Sequence, residues 1–209
     1  MATSTRINFS TRRQHMTIKI EIKALTGHER IIGTGLRLTD YWSWAHSALI
    51  DNTERAAFAE FLVHTAMNES DTVRQSWKSY DVLSPEGIKI EVKASGYIQA
   101  WPQEKLSSVS FSIRPAHSWD VETKTYADEL TRDSDVYVFC LHNHIEQESL
   151  NILDLSQWKF FVLLTRSIEA GVGMQKTITL NRIKSLEAIE TDYDNLRDTI
   201  INAIRRETQ

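Results

Sequence analysis

The stretch Asp81-Val-Leu-Ser-Pro-Glu-Gly-Ile-Lys-Ile-Glu-Val-Lys93 decides how this chain folds around its chemistry. Its centre, Ser84-Pro85-Glu86-Gly87, carries turn chemistry: proline presets φ for the first corner of a type I turn, and glycine accepts the positive φ that follows. A type I turn closed by a left-handed glycine is a common three-residue hairpin loop. It predicts two antiparallel strands, roughly 77–83 and 88–94. Ser84 then faces Ile88, Val82 faces Ile90, Asp81 faces Glu91 and Ser79 faces Lys93. Opposed residues share a face, so Tyr80, Val82, Ile88, Ile90 and Val92 make an apolar side. Ser79, Asp81, Lys89, Glu91 and Lys93 make a polar one. Two opposed carboxylates repel unless a cation or a proton stands between them. A register slip of one residue would send Asp81 to the other face.

Two acids with an ammonium beside them are what metal-dependent phosphodiester cleavage needs. The spacing alone is a weak signal, because Glu-x-Lys occurs three times, at Glu21-Ile-Lys23, Glu91-Val-Lys93 and Glu122-Thr-Lys124. No acidic residue precedes Glu21, and Glu122 has Asp120 close by but no hairpin. A half-exposed hairpin with a solvated polar face shows the same alternation. The specificity therefore lies in the turn and the register it sets.

Composition frames the rest. A chain of 209 residues with 41% apolar and 25% charged content suits one domain with a real core. No long apolar run offers a membrane span, and the first residues lack the hydrophobic segment of a secretory signal. The single cysteine, Cys140, rules out a disulfide framework and a cysteine zinc cage. A reducing cytoplasm is the expected compartment. The net charge of −4 argues against a protein that merely coats DNA, while an acidic metal site would itself lower the charge.

Residues 1–15, small, polar and basic, are expected to form a disordered extension, and 16–209 a single α/β domain. Thr17 to Leu25 reads as a strand. Tyr41 to Ala45 reads as a short helical turn, and Asp51 as the cap of a helix running to Met67. After the hairpin, Ser108 to Ile113 alternates as a third strand. Val121 to Leu130 reads as a helix. Asp135 to Leu141 and Trp158 to Leu164 read as buried strands, and Leu196, Ile200, Ile201 and Ile204 mark a closing amphipathic helix. Glu60 is the only charge between Ala56 and Val63, with small alanines at its sides, and a carboxylate at such an interface tends to be paired or metal-bound.

From Asp51 to Leu141 the predicted order is helix, strand, strand, strand, helix, strand. With Asp81 on one hairpin strand and Glu91-Val92-Lys93 on the next, the chain resembles the PD-(D/E)XK nuclease superfamily over about 90 residues. Tyr80 stands where the family name expects proline. The resemblance implies a restriction-endonuclease-like core of order αβββαβ: a mixed central sheet flanked by helices. It implies Asp81, Glu91, Lys93 and Glu60 as the catalytic set.

Mg²⁺, or Mn²⁺, prefers carboxylate and carbonyl oxygens. Asp81, Glu91 and the Val92 carbonyl would hold it, with Glu60 binding directly, through water, or at a second ion. Lys93 would position the attacking water or neutralise developing charge. Tyr97, Gln99 and Trp101 keep phase with Glu91 and Lys93 if the strand continues past Gly96, and would then contact substrate. The expected function is hydrolysis of nucleic acid, DNA first, by a protein that forms a homodimer if its C-terminal helix serves as an interface. The alternative is a nuclease-like fold used without catalysis, as a nucleic-acid-binding or assembly module.

Overall fold

Ser84-Pro85-Glu86-Gly87 turns as its residues dictate. In the computed structural model Gly87 has φ of +86°, its N–H donates to the Ser84 carbonyl at 2.9 Å, and the Ser84 N–H donates to the Ile88 carbonyl at 2.9 Å. Residues 22–67, 73–74, 78–120 and 125–207 are described by the structure. The extension at 1–15, residues 17–21 of the first expected strand with its Glu21, Trp77 and the Glu122-x-Lys124 triplet lie outside them. Residues 22–25 carry no strand pairing.

Helix α1, Leu38–His46, buries no residue. Helix α2, Asn52–Ala66, starts at the expected cap: the Asp51 carboxylate accepts the Thr53 N–H at 2.9 Å. Its face of Ala59, Leu62 and Val63 is buried. The hairpin follows as β1, Val82–Leu83, and β2, Lys89–Gly96. Next come β3, Ser110–Ser112, then β4, Ala116–Asp120, and β5, Thr125–Thr131. Strands β6, Val136–His142, and β7, Trp158–Leu164, are the apolar runs, and every residue of β6 is buried. The chain closes with α3, Thr165–Val172, β8, Thr177–Thr179, α4, Leu180–Ser185, β9, Ile189–Thr191, and α5, Leu196–Glu207.

The central sheet has the order β1-β2-β6-β7-β9. It is mixed: β2 and β6 run parallel, from Ile90 opposite Val136 to Gly96 opposite His142, and the other pairings are antiparallel. Alternation along the strands splits the core in two. Ile90, Val92, Val138, Cys140, Phe160 and their neighbours pack under α2 and α5. Tyr137, Phe139, Leu141, Phe161 and Leu163 pack on the other face with Phe111, Ile168, Ile178 and Ile183. A mixed α/β fold with helices on both faces of the sheet is thus present. Among the described residues no helix is long and apolar enough to cross a membrane.

Two expectations about this fold are corrected. The helix expected over Val121 to Leu130 is replaced by β5, which pairs antiparallel with β4 from Ala116 opposite Thr131 to Asp120 opposite Thr125. Good helix formers such as Glu122, Ala127, Glu129 and Leu130 occur there, but no apolar stripe at helical spacing exists for a core to bury. The ladder with β4 satisfies the backbone instead. The third strand, β3, does not join the central sheet; it pairs with β8 in a separate ribbon. The order αβββαβ is therefore not what the chain builds: a β-ribbon stands where the second helix was expected.

Candidate active site

Register carries the site. Val82 pairs with Ile90 and Leu83 with Lys89, as the turn requires, so Asp81 arrives at the edge of β2. There the ladder ends. The Asp81 N–H donates to the Ile90 carbonyl at 3.0 Å, and its carboxylate Oδ2 accepts the Val92 N–H at 2.8 Å. A regular antiparallel continuation would offer that N–H a main-chain carbonyl. Here the side chain substitutes for the backbone, which is why the first strand has two residues and residues 78–81 bend away from it. The N–H and C=O of one strand residue point to the same side of the strand, so the Val92 carbonyl faces the same open edge.

On β2 the even residues Ile90 and Val92 enter the core beneath α2, and the odd ones turn to the opposite face. On that face the packed apolar residues begin one strand further in, with Tyr137 and Phe139 of β6. Glu91, Lys93 and Ser95 remain half-buried. Lys93 Nζ is 2.5 Å from Glu91 Oε1, and the Ser134 hydroxyl donates to Glu91 Oε2 at 3.4 Å. Asp135 fixes this end of β2: its N–H donates to the Lys89 carbonyl at 2.8 Å, and its carboxylate accepts the Lys89 N–H at 2.8 Å.

The electrostatics follow from crowding. Burial and then the Glu91 charge push the Asp81 carboxyl up to about 6, against the pull of Lys93. Burial opposes the charged form of Lys93, but Glu91 and Asp81 outweigh it and hold the ammonium above its ordinary range. Burial and the Glu91 charge raise the Tyr137 phenol, keeping it protonated. Asp81, Glu91 and Lys93 thus form one coupled set.

Glu60 stands at its margin. It reaches in from α2 and shares a cleft with Asp81. Arg74 grips it with two nitrogens, one a short contact from Nε to Oε2, the other from Nη2 to Oε1 at 2.7 Å. Glu60, Arg74, Lys78 and Asp81 line a cleft of about 380 Å³ with Phe61 and Leu83. Among the described residues no three His, Cys, Asp or Glu side chains gather closely enough to hold a metal ion. The two acids of the hairpin are brought together, and Glu60, paired with Arg74, lies close enough for its charge to act on Asp81 and Lys93.

The comparison with known families matches the description "Bacteriophage T4 endonuclease IV" over residues 34–182. The chain belongs to the bacteriophage T4 endonuclease IV family. This endonuclease IV-family chain is accordingly a nuclease, an enzyme acting on nucleic acid. The matched segment holds Glu60, Asp81, Glu91 and Lys93, and leaves β9 and α5 outside it. No curated protein matches the chain.

Other residues of this endonuclease IV-family chain depart from expectation. β2 ends at Gly96, so the phase carrying Tyr97, Gln99 and Trp101 is lost. Tyr97 packs against the second core. Gln99 is committed to structure: its Oε1 accepts from Arg55 Nη2 at 2.8 Å, and its Nε2 donates to the Gly96 carbonyl at 2.8 Å. Trp101 alone is half-exposed. Arg55 is 1% exposed and also donates to the Ile50 carbonyl at 2.8 Å, which ties the start of α2 to the end of β2. A Cβ on Gly96 would stand 2.2 Å from Arg55 Nη1. His142 is buried edge-on against Trp158, and His144 meets the Ser149 hydroxyl at 2.8 Å. Arg74, Ser134 and Tyr137 were not visible as site residues. Arg74 sits in a polar run without periodicity, and the other two reach Glu91 only through the parallel pairing of β2 with β6.

Proposed function

We propose that this endonuclease IV-family chain is a metal-dependent DNA endonuclease with a catalytic site of PD-(D/E)XK type. The observation that carries the reading is the Asp81 carboxylate on the Val92 N–H, held in electrostatic contact with Glu91 and Lys93. Two converging carboxylates in a half-buried site have only a proton, a lysine or a metal ion to compensate them.

The donors present suit Mg²⁺ or Mn²⁺, which need only one or two carboxylates and keep several waters. Asp81, Glu91 and the Val92 carbonyl would hold the ion, and Glu60 would join once Arg74 leaves it. When bound, such an ion supplies an activated water and stabilises charge on the phosphate. The chain does the remainder. Lys93, held charged by both acids, donates hydrogen bonds to the attacking water or to the developing negative charge, and does not act as a base. Ser134 restrains Glu91. Asp81, mostly ionised near neutral pH although burial and Glu91 raise its carboxyl to about 6, would be compensated by such a cation. Arg74, freed from Glu60, is aimed into the cleft beside Asp81, where a phosphate would compete for its fork of donors.

The test is cleavage of DNA by purified protein in Mg²⁺ or Mn²⁺, with and without chelator, for the wild type, Glu91→Gln and Lys93→Met. Cleavage that needs the metal and is lost in both folded variants supports the proposal. Cleavage that survives chelation, or either substitution, contradicts it.

A further inference from the structure

The charge of the chain is unevenly placed. Residues 1–46 hold seven Lys and Arg against three Asp and Glu, so residues 47–209 hold 17 against 25. The part that carries the cleavage site therefore has a formal charge of −8 and the first 46 residues +4, of which residues 1–21, outside the described residues, supply +3 and residues 22–46 supply +1. A nuclease must hold a polyanion, and an acidic body does not attract one.

Residues 22–46 form a small unit with its own internal contacts. Glu29 caps its loop by accepting the Thr26 and Gly27 N–H groups at 3.0 and 2.9 Å. Asp40 accepts the Arg37 N–H at 2.6 Å. Arg30 and Arg37 face each other across an antiparallel bridge, so both side chains lie on one side. Gly27, with φ of +88°, lies under Trp42, and a Cβ there would stand 2.8 Å from the indole. Trp42 is thus the internal anchor. The other rings face out: Tyr41 is 46% and Trp44 84% exposed, with centroids 6.5 Å apart. Arg37, Tyr41 and Trp44 follow one another at helical spacing along one face of α1. The unit's two acids are spent on its own backbone, while Lys23, Arg30 and Arg37 make no ion pair among the described residues.

We propose that residues 22–46 are a nucleic-acid-binding arm, in which Tyr41 and Trp44 stack on bases while Arg30 and Arg37 hold the adjoining phosphates. Paired exposed rings flanked by cations that have no acidic partner among the described residues, Arg37 touching only the His28 carbonyl at 3.5 Å, are the combination that grips a nucleic-acid strand. The end of the arm touches the helix that carries Glu60. His46, at its end, meets Glu54 of α2 at 3.0 Å, and the six residues from Glu54 to Glu60 span about 9 Å along that helix. This inference rests on the nuclease assignment and is independent of the metal-site reading.

The test uses the full chain and a fluorescently labelled oligodeoxynucleotide whose length is checked by gel after each titration, so that cleavage does not enter the reading. Anisotropy titrations compare the wild type with Trp44→Ala, Trp44→Phe and the double variant Arg30→Gln/Arg37→Gln, each checked for folding by circular dichroism. Trp44→Ala should weaken binding about tenfold and Trp44→Phe should retain it, since stacking needs a ring. The arginine variant should lower the slope of log affinity against log salt by about 1.5. Unchanged affinity and slope in these folded variants would overturn the proposal. So would a switch from dimer to monomer on sedimentation with affinity intact, which would make the patch a subunit contact. Cleavage that survives Glu91→Gln while Trp44→Ala weakens binding would overturn the metal-site reading and leave the arm standing, and unchanged binding in the arm variants with cleavage lost in Glu91→Gln would do the reverse.

Discussion

The site holds two carboxylate–cation pairs that look alike and are built differently. Glu91 and Lys93 stand two residues apart on one strand, at 2.5 Å, on a face set by the pleat and a paired neighbour. Glu60 and Arg74 come from separate elements, and Arg74 is 55% exposed. The first pair stands on one face of one strand, so forming β2 places its two side chains within reach of each other. The second is a contact between a helix and a loop residue that a better partner can break. A frame that fixes one pair and leaves the other exchangeable would allow the site to change partners without moving its backbone.

Removing the fixed pair should cost most. Glu91→Gln and Lys93→Met should each lower kcat by at least about 10³-fold, read in steady-state cleavage assays with folding checked by circular dichroism. Loss below about tenfold would mean the fixed pair is structural. Glu60→Gln should cost less, roughly 10- to 100-fold, expressed partly as weaker metal affinity. Equal effects of Glu60→Gln and Glu91→Gln would erase the distinction between the pairs.

Asp81 gives the pH dependence. Its carboxyl is raised from 3.8 to about 6 by burial and by Glu91. The folded protein therefore binds this proton more tightly than the unfolded chain does. The stability it contributes is complete below pH 3.8 and is lost as pH rises through about 6. In metal-free protein Asp81→Asn should be more stable than the wild type at pH 7, on the order of 2 kcal/mol, and the advantage should shrink as pH falls from 6 toward 4. Thermal melts across that range check it; an advantage constant with pH would show that Asp81 does not titrate there. The smallest effect belongs to the exchangeable pair. Arg74→Ala should tighten Mn²⁺ binding a few-fold by freeing Glu60. Weaker Mn²⁺ binding would show that Arg74 supports the site in some other way.

Much of this could be read from residues whose neighbours in sequence are their neighbours in space. Ser84-Pro85-Glu86-Gly87 set the turn and the pairing of Val82 with Ile90, because turn chemistry is local. Leu196, Ile200 and Ile201 announced α5 by their spacing, and all three are buried. What escaped depended on distant partners. β3 pairs with β8 some 65 residues later, β5 was misread for want of knowledge of β4, and Arg132 is buried against the Ile113, Gly173 and Gln175 carbonyls. In the site, Asp81, Glu91 and Lys93 were legible from the hairpin. That Asp81 would replace a main-chain acceptor, and that Arg74 would take Glu60, were not, since both depend on where the first strand stops.

The central claim is that Asp81 and Glu91 together bind a divalent ion at the edge of β2, and calorimetric titration of Mn²⁺ into the full chain at pH 7.5 tests it most directly. The expected result is binding to the wild type that is lost in both Asp81→Asn and Glu91→Gln while Arg74→Ala still binds. Equal Mn²⁺ affinity in the wild type and in Asp81→Asn would contradict the claim.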